Sequence, residues 1–466
     1  MIRAALILTT AGMLMSACAS DGLPDASPMA APEVWTMAAL PIADAETDRW
    51  WTAIADPVLI GIVERAGDAS DVRLAEARVF EAQARLGSAR AALRPEIRGQ
   101  ATAERQSADD LDQETFQALV AFSLDPDLNG AIRTRAEAER LRAEGQVARV
   151  EASRLSARST AVQLYAAYRE AETRAAAGDQ AVSALEDALS LAGARERAGL
   201  TSGLDATTAR AALSAARARP FAARQAAIEA RLGLEALLGL TPGALTQELA
   251  RVVPGRWITP PLRALAAPAS VLARRPDLRA AELELWAARA DAGAARRDFW
   301  PTVSLSTALG GQDVDPRTPF TASGFLSQIA GGLTGPLFSF GRLEGARDAA
   351  DARTIQAEIA YRQAAIDALS EVERALVALA SAEARAETLA EAATAAADQV
   401  ALATLRYRGG VSPFLEVLSA QRAAADARAE EAAARGDTLS SFARLNAAVG
   451  LGGRGEPSAG AARAAS

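Results

Sequence analysis

Chemistry that needs a nucleophile or a base has few residues to draw on in this chain. Cys18 is the single cysteine among 466 residues, there is no His, and all 50 basic residues are Arg, so Lys is absent too. Without imidazole, amine or a second thiol, the chain lacks the commonest general base, the Schiff-base nucleophile and the soft ligands of a structural metal site. A carboxylate-only hydrolase stays formally open, yet no acidic pair stands out from a background of 58 Asp and Glu residues. Catalytic residues, a metal and a cofactor are therefore not expected. The one thiol follows Met1-Ile2-Arg3 and an apolar run that ends at Leu14, in the context Leu14-Met15-Ser16-Ala17-Cys18. An early positive charge, a short apolar stretch and small residues at the cut describe an export signal, too short for a membrane-spanning helix.

The residues around the thiol look like a lipobox. That resemblance implies cleavage before Cys18, a diacylglycerol thioether on its sulfur and an acylated amine; an ordinary signal peptide with a chance Cys is the alternative. Several acyl chains hold a protein far better than one, each buried methylene contributing about 0.8 kcal/mol. Ala19 and Ser20 follow, where in many Gram-negative bacteria an Asp would retain a lipoprotein at the inner membrane, so outer-membrane lipid is the expected partner. Loss of Arg3 takes the net charge from −8 to −9, and nothing in that acidic balance suggests a nucleic-acid partner.

Half of the residues are hydrophobic but only 5% are aromatic, because much of the apolar total is Ala. Ala favours helix and buries little area, so helices made of it must pack closely and along great length. The chain also matches itself. Asp71-Val72-Arg73-Leu74-Ala75-Glu76 aligns with Asp277-Leu278-Arg279-Ala280-Ala281-Glu282, and Gly87/Gly293, Arg90/Arg296 and Pro95/Pro301 keep the offset 301 − 95 = 206. Further on, Gly130 aligns with Gly341 and Arg197-Ala198-Gly199 with Arg408-Gly409-Gly410, at offset 341 − 130 = 211. Repeats of this length predict two copies of one structural unit.

Each copy reads in the same order. A helix over residues 70–93, or 276–299, stops before a proline. The period then shifts to two: Glu96, Arg98, Gln100, Thr102 and Glu104 alternate with Ile97, Gly99, Ala101 and Ala103, and Thr302, Ser304 and Ser306 alternate with Val303, Leu305, Thr307 and Leu309. Returning strands are predicted over 116–124 and 325–333, each about the nine to eleven residues that cross a bilayer as a tilted strand. A surface hairpin of a soluble protein alternates similarly, and the lipid signal tips the balance. No proline interrupts residues 130–198 or 341–408, and roughly 65 helical residues span about 100 Å. Ile355, Ile359, Ile366, Leu369, Val372, Leu376 and Leu379 form a seam for coiled packing in the second long helix. A tight Gly turn and another helix close each copy.

These features together resemble the TolC-like outer membrane efflux proteins, in particular their lipoprotein branch. Arg274-Arg275-Pro276-Asp277-Leu278-Arg279-Ala280-Ala281-Glu282 looks like the family's Arg-Pro-Asp-hydrophobic-Arg-x-Ala-Glu signature. Gly199-Leu200 with Leu204-Asp205, and Tyr407-Arg408-x-Gly410 with Leu415-Glu416-Val417-Leu418, resemble its two helix-turn-helix tips. Phe338-Ser339-Phe340-Gly341-Arg342 looks like the strand-to-helix turn, and Trp50-Trp51 with Asp56-Pro57 like the family's start. Gly130 departs from the pattern, since Asp127-Leu128-Asn129 precedes it where an aromatic is more usual.

The resemblance implies a mainly α fold with a small β part: a homotrimer whose twelve strands, four per chain, close a transmembrane β-barrel continuous with a long α-helical barrel. Physics agrees, because four strands cannot close and open edges do not survive in lipid. It implies a passive exit duct served by a periplasmic adaptor and an inner-membrane pump. The docking tips would be Gly199, Leu200, Thr201, Ser202 and Gly203, with Gly409, Gly410, Val411, Ser412 and Pro413; the periplasmic aperture would comprise Asp205, Tyr407, Arg408 and Glu416. Alternation places Glu96, Arg98, Gln100 and Glu104 in the barrel lumen. The domains expected are a signal (1–17), a lipidated segment (18–69), the first repeat (70–250), a Pro-rich linker (251–270), the second repeat (271–451) and a disordered tail (452–466). A lipid-anchored coiled-coil adaptor and a structural lipoprotein without transport are the competing readings.

Overall fold

A computed structural model of the chain describes residues 32–36, 48–108, 111–257, 266–313 and 325–454. The signal segment, Cys18 and residues 455–466 lie outside the described residues. A 3-10 turn, Trp50–Ile54, leads into α1 (Pro57–Ala66) and α2 (Ser70–Ala91), followed by strands β1 (Glu96–Ala108) and β2 (Leu111–Leu124). Helices α3 (Ala131–Arg197), α4 (Gly203–Ala216), α5 (Arg219–Leu237), the short α6 (Thr246–Leu249) and α7 (Pro268–Arg274) come next. The rest is α8 (Pro276–Arg297), β3 (Thr302–Asp313), β4 (Phe325–Thr334), α9 (Arg342–Arg408) and α10 (Phe414–Ala448). A 22-residue helix, two strands and a 67-residue helix thus occur in that order twice. Each 67-residue helix is about 100 Å long.

The return paths differ. α10 runs unbroken for 35 residues, whereas the first return is split into α4 and α5 just before Pro220. Proline lacks the N–H that would continue the ladder, and its ring clashes with the preceding turn. Gly178 of α3 accepts this break: a Cβ there would stand 3.0 Å from the Pro220 ring.

α2 packs on α3, α3 on α8 and α8 on α9 next to the strands; toward the tips α4 and α5 pack on α3, α3 on α10 and α10 on α9. Midway along, Trp50, Trp51, Ile54, Leu59 and Ile62 pack with Tyr165, Leu234, Leu249, Val372 and Leu445 in the largest apolar core. Trp35 belongs to it, its Nε1 donating to the Ala266 carbonyl at 2.8 Å, and Thr36 donates from N and Oγ1 to Glu373 of α9 at 2.6 and 2.8 Å. The expected tail is not free at its start, because the N–H groups of Gly452 and Arg454 donate to Asp48 at 2.9 and 3.1 Å. Along the seam on α9, Val372, Leu376 and Leu379 are buried within the chain, whereas Ile355, Ile359 and Ile366 are exposed in it. They lie where α9 is the outer helix of its layer.

Carboxylates that are buried or half-buried fix the joints. Asp56 caps α1, accepting from Val58 N and Leu59 N on Oδ1, and takes the Tyr165 hydroxyl at 2.7 Å and Arg169 Nη1 at 3.0 Å on Oδ2. Burial, then Asp56 itself, push the Tyr165 phenol well above its usual range. Asp127, φ 52° and 1% exposed, accepts from Ile132 N, Arg133 N and Arg133 Nε, holding the entry to α3. Asn129 accepts from Ala131 N and donates to the Arg297 carbonyl, so the residues found in place of an aromatic form a polar cap. Glu235 accepts from Gly243 N and Leu245 N, both at 3.0 Å, and pairs with Arg231.

Burial raises the pKa of Asp127 and Glu235, but backbone donors and the adjacent arginines outweigh it and leave both below the usual carboxylate range. A depressed folded pKa contributes stability above the unfolded value of about 3.9 or 4.3, lost as pH falls through the folded one. Denaturant midpoints should therefore drop as pH falls from 5 to 3. Glu235→Gln should flatten that slope and cost about 1.5–3 kcal/mol near neutrality. An unchanged acid slope in the variant would refute the assignment.

The four strands form one antiparallel meander in the order β1-β2-β3-β4. Pairings such as Ile97↔Phe122, Ala103↔Phe116, Val120↔Leu309 and Leu305↔Gly331 gather an apolar face. The apolar column on β1 and β2 ends at Arg105 and Glu114, an ion pair at 3.6 Å. Glu96, Arg98, Gln100 and Glu104 share the other face with Gln117, Ser123, Ser306, Gln312 and Gln328. β1 and β4 are the sheet's edges, and no helix among the described residues is long and apolar enough to cross a membrane.

Candidate functional site

The helix tips distal to the sheet bring the sequence-selected residues together. Each long helix ends in a 6→1 backbone bond: Leu200 N donates to the Arg195 carbonyl at 2.9 Å and Val411 N to the Arg406 carbonyl at 3.0 Å. This closure needs a left-handed residue just past the helix, usually Gly. Gly199 (φ 69°) and Gly410 (φ 77°) supply it. Gly409 is right-handed and Gly203 opens α4, so those two glycines are not required by backbone sign. Ser202 and Pro413 are the extended residues before α4 and α10, and Thr201 and Ser412 precede them. The apolar residue after such a glycine ordinarily folds back on its helix. Here Leu200 and Val411 are 65% and 73% exposed.

Beneath the turns Tyr407, Phe414, Val417 and Leu418 pack with Leu185, Ala192 and Leu213, and the Tyr407 and Phe414 rings lie 5.0 Å apart. Tyr407 is 2% exposed, and its hydroxyl donates to Asp205 Oδ2 at 3.2 Å, joining the C-terminal end of α9 to the first turn of α4. Burial and the Asp205 charge raise the Tyr407 pKa, against the opposing pull of Arg195, so the phenol stays a neutral donor. Glu416 stands apart from that pair, with Arg406 as its ion partner at 3.8 Å. Arg408 enters through its backbone carbonyl, its side chain being exposed.

The residue that sequence inspection missed is Arg195. Its Nη1 donates to the Tyr407 carbonyl at 2.5 Å and the Arg408 carbonyl at 3.2 Å, and its guanidinium lies 4.7 Å from the Tyr407 ring centroid. It thereby caps the C-terminal carbonyls of a helix 212 residues away in sequence. A signal was present: an Arg lies four residues before the turn glycine in both copies, since 406 − 195 = 211, the offset that also relates Glu416 to Asp205. The tips hold no group of three or more metal-ligating residues, nor does any other part of the described residues.

Comparison with known proteins agrees with this geometry. Residues 64–240 and 267–451 match the family model for outer membrane efflux proteins, and the chain belongs to that family. The pyoverdine export outer membrane protein OpmQ of Pseudomonas aeruginosa is 30% identical over 464 residues, 96% of this chain and 95% of that one. OpmQ of Pseudomonas putida is 28% identical over 469 residues, covering 96% and 97%. The solved structure of the outer-membrane channel OprN superposes with a TM-score of 0.85 at 25% identity, over 94% of this chain and 100% of that one. The open state of the Neisseria gonorrhoeae MtrE channel shares the fold with a TM-score of 0.83, at 24% identity over 93% and 98%.

Proposed function

We propose that three copies of this chain form a passive exit duct of a tripartite efflux system, anchored in the outer membrane by an acylated Cys18. The observation that carries this reading is the agreement of the open edges. β1 and β4 leave the sheet unclosed on two sides, and the helical layer ends on the same elements in sequence, α2 beside β1 and α9 beside β4. Both outer helices carry exposed apolar residues: Leu74 and Phe80 on α2, Ile355 and Ile359 on α9. Toward the tips exposed apolar residues continue on α5, with Phe221 and Ile228, and at the far end on α4, with Leu204, and on α9, with Leu402 and Leu405. In lipid an unpaired strand edge costs several kcal/mol per backbone group, so β4 of one copy pairs with β1 of the next. Three copies of four strands give twelve. The two similar halves, read as an internal duplication, give the helical ring a pseudo-sixfold arrangement.

The polar sheet face, with Glu96, Arg98, Gln100 and Glu104, lines the pore, and the apolar face meets lipid. The tips are the docking end for a periplasmic adaptor, which the exposed Leu200 and Val411 favour, and an inner-membrane pump supplies the energy. Asp205, Tyr407, Arg408 and Glu416 form the aperture, with Arg195 holding Tyr407 in place. Purified protein in planar bilayers should conduct ions in discrete steps; absence of conductance from trimers would refute the duct. Mass spectrometry of the mature protein should find Cys18 as its acylated first residue. Residues 1–17 retained, or residue 18 unmodified, would remove the anchor from the account.

A further inference from the structure

The strand register places one apolar patch on an otherwise polar sheet face. Leu119 of β2 pairs with Gly310 of β3, Gly310 pairs with Leu326 of β4, and Gln100 of β1 completes the row by pairing with Leu119. From Thr102 down to Thr334, the remaining residues of that face are Ser, Thr, Gln, Glu, Arg, Ala or Gly. No side chain fits at Gly310, where a Cβ would stand 2.0 Å from the Ala118 carbonyl oxygen and 2.8 Å from Leu119 Cδ2. Leu119 therefore lies over bare backbone toward Leu326, and neighbouring strands are about 4.8 Å apart. The two leucines thus flank, across three strands, a position without a side chain.

The rim is mostly uncharged amide, with Arg98 the one charge in an adjoining row. Gln117 and Gln312 pair in the row above, and Gln328 lies in the row below. The nearest charges neutralise one another, Arg98 donating from Nε and Nη2 to the two Glu96 oxygens, both at 2.7 Å. Primary amides offer both donors and acceptors. Two leucines flanking bare backbone, with such a rim, suit a flat ring carrying neutral hydrogen-bonding groups.

We infer that Leu119, Gly310 and Leu326 form a transit subsite in the pore wall for planar aromatic solutes with uncharged polar substituents. Three such subsites lie at one height in the trimer; the inference rests on the duct reading and on this face lining the pore. Weak, repeated contact of this kind lets a solute enter the pore without trapping it.

The test uses the reconstituted trimer and two neutral lactams of one skeleton, quinolin-2-one and its saturated analogue decahydroquinolin-2-one. The aromatic probe should reduce the open-channel current at a several-fold lower concentration than the saturated one. Leu119→Ser with Leu326→Ser should raise the half-maximal concentration for quinolin-2-one roughly fivefold, the effect of losing about 1 kcal/mol of apolar contact, with open conductance retained. Leu326→Ser alone should give part of that rise and serves if the double variant does not assemble. Equal sensitivity of wild type to both lactams, or no response to either, would overturn the subsite. So would an unchanged quinolin-2-one response in the variants. Trimers that conduct no ions would instead overturn the duct.

Discussion

Asp205→Ala with Glu416→Ala is expected to raise single-channel conductance in planar bilayers, because it removes the polar ties that hold the tips together. Magnitudes assign most of the effect to Asp205. The Tyr407 hydroxyl reaches its carboxylate at 3.2 Å from a buried position, and a hydrogen bond to a charged group contributes about 1.5–3 kcal/mol. Taking the lower figure for a partly exposed Asp205, three equivalent bonds give about 4.5 kcal/mol, a closed-to-open ratio on the order of a thousandfold. The Arg406–Glu416 pair, at 3.8 Å and largely exposed on both sides, contributes about 0–1 kcal/mol. Tyr407→Phe should therefore reproduce most of the double variant's increase, and Glu416→Ala alone little of it. Identical conductance in wild type and double variant would dismiss these carboxylates as aperture elements. An adaptor at Leu200 and Val411 would open the same contacts by binding the open arrangement better, since only differential contact moves such an equilibrium.

Ile359→Glu should abolish the trimer. The side chain is exposed on α9, in the part of the hydrophobic seam, with Ile355 and Ile366, that lies open in a single chain. Pressed against α2 of the next copy, an unpaired carboxylate costs several kcal/mol at each of three equivalent interfaces. Light scattering of detergent-solubilised protein should show the trimer fraction falling by well over tenfold, while Ile359→Leu, which keeps the apolar contact, stays trimeric. A trimer unaffected by Ile359→Glu would place the subunit interface elsewhere.

Most of the helical architecture was legible because local rules set it. Proline-free runs of Ala and Arg gave the long helices, Pro95 and Pro301 gave the helix-to-strand joints, and Gly199 and Gly410 gave the tips. What sequence inspection missed depended on partners far apart in the chain. Arg195 caps carbonyls of a helix in the other half, Trp35 reaches Ala266, and Asp127 and Asn129 substitute a polar cap for an aromatic turn. Pro220 is visible as a residue, but the repeat order predicts one unbroken return helix, because the second half contains no matching break. The seam on α9 is one stripe in sequence, but part of it faces its own chain and part faces outward. Alternation groups Glu96, Arg98, Gln100 and Glu104 on one face of β1 but cannot align β2, β3 and β4, and the Leu119–Gly310–Leu326 row exists only through that register.

Electron microscopy of the mature protein solubilised from membranes tests the central claim most directly. The account predicts particles with threefold symmetry, a twelve-stranded barrel in which β4 of each copy pairs with β1 of the next, and a lumen running from the barrel to the helix tips. Monomeric particles, or trimers joined through other elements with no continuous lumen, would contradict it.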